Sequence, residues 1–250
     1  MAEVSEVDWQ AMLDRFRKYA QEALPVPVEP DPDLDPPIGS ASSSTDCNVE
    51  CDAARLEACG VFARYHEATF ENIEARGVPA ELRGQVDAVR CYADAIDENI
   101  RQGYGLLLRG PVGTLKTTLA VAVLQCWLRR GGQARFLTMP SLVDNIFAAK
   151  AVSPDEWNQF EIRLRQTPLL VLDDLGAEWS SGWPLTKVDA IIAERYNRRR
   201  ATIITTNLGS AALRSRYTDR MVDRLRGTCQ IITFNTPASL RQPPLALDGS

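Results

Sequence analysis

The chain has 250 residues, 45% of them hydrophobic, enough for one large domain or a domain with an appendage. Its formal net charge of −5 removes global charge as a signal for nucleic-acid binding and leaves only a local basic surface for that purpose. No apolar run approaches a membrane span, and the acidic opening "MAEVSEVDWQ" lacks a signal-peptide stretch, so a cytoplasmic protein without membrane contact, its six cysteines reduced, is expected.

Residues 7–24, "VDWQAMLDRFRKYAQEAL", carry Trp9, Leu13, Phe16 and Ala20 at helical spacing. Such a helix either caps a neighbouring core or docks on a partner. Residues 25–46 are rich in Pro, acid and Ser, the composition of a stiff, then flexible, linker; that tether motivates the docking reading. Cys47, Cys51, Cys59 and His66 are zinc-competent residue types. Their cysteine spacings, with three and then seven intervening residues, are looser than a knuckle. "CDAARLEACG" also reads as a helix with small buried cysteines, which is the preferred reading. Residues 80–102 continue as a helical stretch with Leu82, Val86, Val89 and Ile96 as its apolar positions.

From residue 104 strand and helix alternate. "YGLLLRG" is a strand, "TLKTTLAVAVLQCWLRRGG" a helix and "QARFLTM" a strand; "PSLVDNIFAAK" and "SPDEWNQFEIRLRQ" are two helices. "PLLVLDDLG" is a buried strand, followed by helix "LTKVDAIIAERYNRRR", strand "ATIITTN", a single helix "SAALRSRYTDRMVDRLRG" and strand "CQIITFN". Five apolar strands with intervening helices imply an α/β fold, a five-stranded parallel sheet covered on both faces. The expected divisions are an N-terminal helix (1–24), a linker (25–46), a helical lead-in (47–102), a core (103–241) and a loose tail (242–250).

"GPVGTLKTT" lies between the first strand and its helix, where backbone N–H groups and a helix N-terminus bind phosphate. The nucleotide-binding candidates are therefore Gly110, Pro111, Val112, Gly113, Thr114, Leu115, Lys116, Thr117 and Thr118. Lys116 would reach the β- and γ-phosphates of ATP, and the Thr117 hydroxyl would ligate Mg²⁺. The pattern wants glycine where Leu115 stands. If the loop needs a positive φ there, leucine costs about 1–2 kcal/mol, roughly tenfold in affinity; if φ is negative, the side chain simply turns away. "LLVLDDLG" delivers two acids at a strand end beside the loop. Asp173 would hold Mg²⁺, and Asp174 would polarise the attacking water. Asn207, ending "IITTN", would position that water. Arg220 and Arg224 are four apart on one helix face, and the sequence reveals no anionic partner for Arg224. In a ring ATPase such an arginine completes the neighbouring subunit's site.

Phosphate loop, "LLVLDDLGAE", "ATIITTNL" and "DRLRG", in this order and spacing, resemble the AAA+ helicase loaders of the DnaC/DnaI type and their relatives, the IstB-like ATPases of transposases. "FARYHEATFENI" resembles the loaders' entry into the ATPase core, and the likeness covers about residues 60–235. It implies an AAA+ P-loop NTPase core with a small helical N-terminal region and little or no C-terminal lid. It also implies ATP-dependent self-association on single-stranded DNA and docking on a hexameric replicative helicase. "DDLGAE" favours the loaders over the transposase ATPases; a scaffold that has lost nucleotide use through Leu115 is a third reading. Asp174, shorter than the glutamate of fast ATPases, implies slow turnover. Arg241 is the nearby candidate for a sensor arginine after the last strand. Candidates to grip single-stranded DNA are Phe147 and Lys150, and Trp179, Trp183 and Lys187, because aromatics stack on bases and cations follow the backbone.

Overall fold

The computed structural model describes residues 53–152, 154–178, 183–236 and 240, excluding the side chains of 149–157 and of Trp183. The expected helix 7–24, the linker 25–46, Cys47, Cys51, Trp179, Arg241 and the tail 242–250 lie outside the described residues. Four helices lead in: α1 (Ala53–Ala58), α2 (Phe70–Ala75), α3 (Arg83–Asp94) and α4 (Ile96–Gln102). Then follow β1 (Gly105–Arg109), α5 (Lys116–Arg129), β2 (Ala134–Thr138), α6 (Met139–Val152), α7 (Pro154–Gln166) and β3 (Leu169–Leu175). The rest is α8 (Trp183–Asn197), β4 (Ala201–Thr206), α9 (Ser210–Arg216), α10 (Asp219–Thr228) and β5 (Cys229–Thr233).

All strand pairs are parallel, in the order β2-β3-β4-β1-β5. The central strands are continuous apolar runs because both sheet faces are covered. Strand alternation then sorts them into two cores. Leu106, Leu108, Leu169, Val171 and Ile203 face α5 and the lead-in helices, while Leu107, Leu170, Leu172 and Ile204 face the cluster of α6 to α10. Leu56, Phe70, Leu82, Val86, Val89 and Ile96 belong to the first core, so the lead-in shares its hydrophobic interior with the sheet. At the β2 edge, Phe136 N donates to Cys59 O at 2.7 Å. Gly60 (φ 91°) makes this possible: a Cβ there would stand 2.5 Å from Phe136 O. Among the described residues no helix is long and apolar enough to cross a membrane.

Two expected helices are each broken. The stretch 80–102 opens with a 3₁₀ turn (Ala80–Leu82) and is interrupted at Ala95, whose φ and ψ are −94° and 24°. The helix expected over 210–227 splits at Tyr217 and Thr218, both extended. Thr218 caps α10 by accepting from Met221 N at 3.1 Å, an arrangement that ends one helix and starts the next.

Arg195, 1% exposed, joins the second layer to the sheet. Its Nε donates to Thr202 Oγ1 (3.0 Å); Nη1 to the carbonyls of Leu164 (2.7 Å) and Thr167 (2.8 Å); Nη2 to those of Pro168 (3.5 Å) and Ala201 (2.5 Å). Every donor of the guanidinium fork is thus used, tying α7, α8 and the starts of β3 and β4 together. Burial, and then the Arg200 charge, push its pKa down to about 9, so it stays charged at neutral pH. Arg195→Met leaves these acceptors buried and unpaired, and should cost about 3 kcal/mol or more, measured by denaturant unfolding; a loss below 1 kcal/mol would show that water or neighbours replace the guanidinium.

Candidate functional site

The loop after β1 is shaped by three residues with positive φ. Gly110 (φ 150°) passes so close to β5's exit that a Cβ would lie 2.3 Å from Phe234 O, which excludes any side chain. Gly113 has φ 81°. Leu115 has φ 65° and ψ 6°, so leucine adopts the left-handed conformation that glycine supplies freely. The cost is about 1–2 kcal/mol. Its half-buried side chain packs against the first core cluster, which offsets part of that cost. Of the two alternatives at this position, the strained one holds.

Lys116, 5% exposed, opens α5. Its Nζ donates to Gly110 O (2.9 Å), Pro111 O (2.5 Å) and Thr114 Oγ1 (3.3 Å), while Thr114 Oγ1 donates to Pro111 O (2.9 Å). The first helical bond is Leu119 N to Leu115 O, 2.8 Å, so the N–H groups of Lys116, Thr117 and Thr118 precede the helical ladder. An ammonium inside a ring of loop backbone, at a helix N-terminus, is a phosphate cradle.

β3 brings the acids to this cradle. Asp173, 4% exposed, accepts at Oδ1 from Thr117 Oγ1 (2.9 Å) and Thr205 Oγ1 (2.6 Å). Burial holds its carboxyl above the usual carboxylate range; the Thr205 hydrogen bond opposes this, the Asp174 charge adds to it, and Thr117 and Lys116 oppose it. Asp174 is half-buried with φ 57°, within a register irregularity between Leu172 and Leu175. Its N donates to Thr205 Oγ1 at 2.9 Å. A carboxylate and a hydroxyl 2.9 Å apart, the carboxylate deprived of water, are hard oxygen donors that fit Mg²⁺, which keeps water and phosphate oxygens in its other positions.

The β4 group that meets the acids is Thr205, which sequence reasoning missed; Asn207 follows the strand and is exposed. A buried threonine at the end of an apolar strand was the available signal, but threonine is also an ordinary strand residue. Arg220 is exposed in the first turn of α10. Arg224 does have an anionic partner, contrary to expectation: Asp189 Oδ1 on α8 lies 3.2 Å from its Nη1. Asp189 Oδ2 also accepts from Thr218 Oγ1 at 3.0 Å. Phe147 is half-buried on α6, and Lys187 on α8 pairs with Glu161 at 3.8 Å. Lys150 and Trp183 lie on α6 and α8, their side chains outside the description. His66 Nε2 lies 3.1 Å from Val61 O. Among the described residues no group of three or more His, Cys, Asp or Glu could hold a metal ion. A surface groove of about 350 Å³, lined by Glu74, Gly77, Val78, Arg83, Val86 and Asp87, also went unforeseen. Its helix α3 is joined to the strand end near the loop through Gln85 Nε2 and Thr233 O, 3.3 Å.

Strand order, phosphate cradle and paired acids define an AAA+ P-loop NTPase fold. Residues 66–243 match the family of IstB-like ATP binding proteins, and the chain belongs to that family. The replicative helicase loader DnaC of Escherichia coli strain K12 is 26% identical over 180 residues, 70% of each chain. An ATP-binding protein in an insertion sequence of Mycobacterium tuberculosis is 28% identical over 145 residues, 56% of this chain and 53% of that protein. Among solved structures, the crystal structure of the DnaC helicase loader superposes with a TM-score of 0.61 at 28% identity, covering 69% of this chain and 99% of that one. The crystal structure of DnaI shares the fold, with a TM-score of 0.59 at 22% identity over 69% of this chain and 94% of that one.

Two outcomes are expected. Because the folded state raises the Asp173 pKa, its stabilising contribution is complete below the unfolded carboxyl pKa and is lost as pH rises through the raised folded value. Asp173→Asn keeps an acceptor for both hydroxyls and removes that cost, so its melting temperature at pH 7 should equal or exceed wild type while the added stabilisation by Mg-ATP disappears. A lower melting temperature without nucleotide would contradict this. Leu115→Gly relieves the left-handed strain but exposes core, so ATP affinity should hold or improve while stability falls by about 1 kcal/mol; titration calorimetry and thermal melts separate the two effects, and loss of ATP binding would refute the account of this position.

Proposed function

We propose that the protein is an ATP-switched loader of a hexameric replicative helicase onto single-stranded DNA. The observation that carries this reading is the likeness to the DnaC loader, which spans 70% of both chains, against 56% and 53% for the insertion-sequence protein. The membership of the IstB-like family supports the second reading, an ATPase that regulates a transposase.

In this reading Lys116 and the loop N–H groups hold the β- and γ-phosphates. Thr117 and Asp173 hold Mg²⁺, whose charge would neutralise the phosphates. The groove on α2 and α3 takes the base. Asp174 polarises the attacking water and Asn207 orients it; the short reach of Asp174 makes turnover slow, which suits a switch. Arg220 and Arg224 act in trans on the ATP of an adjacent subunit. Arg220 is exposed and can reach across directly, whereas Arg224 must first leave Asp189. Trp179, Trp183 and Lys187, and Phe147 and Lys150, are the residues that grip single-stranded DNA in this reading, and residues 1–24 dock on the helicase from their tether.

Pull-down by the full chain should capture a replicative helicase and not a transposase, and deletion of residues 1–46 should abolish this capture while ATP binding persists. Capture of a transposase instead selects the second reading. Lys116→Ala should lose ATP binding in calorimetry; equal affinity for wild type and variant would favour a scaffold that does not use nucleotide.

A further inference from the structure

The acid loop continues from Asp174 to Glu178, a carboxylate with 0% side-chain exposure that the nucleotide chemistry above does not use. Its Oε2 accepts from Gly176 N at 2.9 Å. Its Oε1 accepts from Arg216 Nε at 3.2 Å and from the Tyr217 hydroxyl, and Arg216 Nη2 donates to the Glu178 carbonyl. Burial, then the Glu178 carboxylate, push the Tyr217 phenol well above its ordinary pKa, so it remains a donor. On its other side the loop is packed against the end of β4: a Cβ on Gly176 would stand 2.4 Å from Leu208 Cδ1, and Thr206 Oγ1 donates to Leu175 O at 2.5 Å.

Arg216 and Tyr217 sit at the break between α9 and α10. Tyr217 is 6% exposed and two residues ahead of α10, which carries Arg220 in its first turn. The strand end that presents Asp174 and the helix that presents the arginines are thus joined through one buried carboxylate. A surface ion pair would contribute little. In this one the carboxylate is fully enclosed although the Arg216 side chain is 32% exposed, both carboxylate oxygens are used, and the hydrogen bonds are charge-assisted.

We propose that Glu178 is a positioning residue that fixes the arginine helix α10 to the acid loop, so that Arg220 and Arg224 stand where a neighbouring subunit's nucleotide can be reached. The proposal rests on the reading in which these arginines act in trans. Asp174 on the nucleotide side of one subunit and the arginines offered to the next then move as one unit. The clamp has no direct part in binding ATP. Glutamine cannot replace Glu178, because an amide turned either way presents a donor to Gly176 N–H or to Arg216 Nε–H.

The test uses the full chain with single-stranded DNA. Tyr217→Phe and Arg216→Gln each cut one arm on the α10 side and leave the Gly176 arm in place; Glu178→Gln disrupts the clamp itself. All three should bind a fluorescent ATP analogue within about threefold of wild type, while DNA-stimulated turnover falls about tenfold, a difference of ~1.4 kcal/mol in the barrier. Mixing Tyr217→Phe with Lys116→Ala should restore part of the turnover, since the Lys116→Ala subunit offers an intact α10 to an intact nucleotide site. An ordinary structural defect would not be rescued in this way. Arg220→Ala mixed with Lys116→Ala is the control. If the control mixture recovers but Tyr217→Phe keeps wild-type turnover, or stays inactive in its mixture, the clamp has no role in trans and the proposal is overturned. If the control mixture fails to recover although both chains co-assemble, the trans reading fails and the proposal falls with it.

Discussion

One oxygen atom organises the site. Asp173 Oδ1 accepts from Thr117 in the first turn of α5 and from Thr205 at the end of β4, while its own residue belongs to β3. Three segments far apart in sequence are therefore brought to a common point by a buried carboxylate. Hydroxyl donors satisfy this oxygen without neutralising its charge, and the raised pKa records the difference. A residue selected only for stability would not be a carboxylate here, since an amide could accept both hydrogen bonds without the desolvated charge. A buried carboxylate beside a hydroxyl is a donor set that fits a hard cation such as Mg²⁺.

Strain is distributed around the same point. Among the described residues Leu115, Asp174 and Arg199 have positive φ without being glycine, and the first two flank the cradle. Each such residue costs on the order of 1–3 kcal/mol and persists only where its surroundings fix it. They are fixed differently. Leu115 is held by its side chain against the first core, so a residue that breaks the phosphate-loop pattern is retained by packing. Asp174 is held by its backbone, with N bonded to Thr205 and its carbonyl accepting from Ala177 N at 2.9 Å. Aspartate tolerates this conformation better than most residues, and the local register irregularity lets two successive acids avoid the strict alternation of a strand.

The sheet was legible because β1, β3 and β4 are central and read as unbroken apolar runs, and the cradle because its residues are contiguous. Everything that needed two distant segments was not. The backbone angle at Leu115 depends on what its side chain can pack against, which no single-sequence pattern states. Thr205 looks like any β-branched strand residue until Asp173 is beside it. Asp189 looks like a solvated helix acid, yet it pairs with Arg224, so an argument that this arginine lacked a partner could not be made from sequence. The break at Tyr217 lies where "YTDRM" holds a Thr–Asp helix start, but Leu213, Tyr217, Met221 and Leu225 keep helical spacing through it, so the sequence pattern alone does not separate the two helices.

The cradle is also connected to the lead-in region, through the helix that begins at Lys116. α5 is buried along much of its length, and within it stands Gln125, 2% exposed. Its Nε2 donates to His66 O (2.9 Å) and Ala68 O (3.2 Å), the backbone between α1 and α2. A buried amide that leaves its helix to bond another segment restricts sliding between them, because any shift strands a desolvated donor at about 1–3 kcal/mol. The carbonyls it meets are followed by Thr69, which caps α2 by accepting from Asn72 N at 3.2 Å. α2 and α3 then line the groove near the strand end beside Gly110. The helix that follows the phosphate loop and the helices that line the groove therefore share one core and are tied by buried hydrogen bonds. Any displacement of α5 would either carry the backbone of residues 66–68 along or break these buried hydrogen bonds.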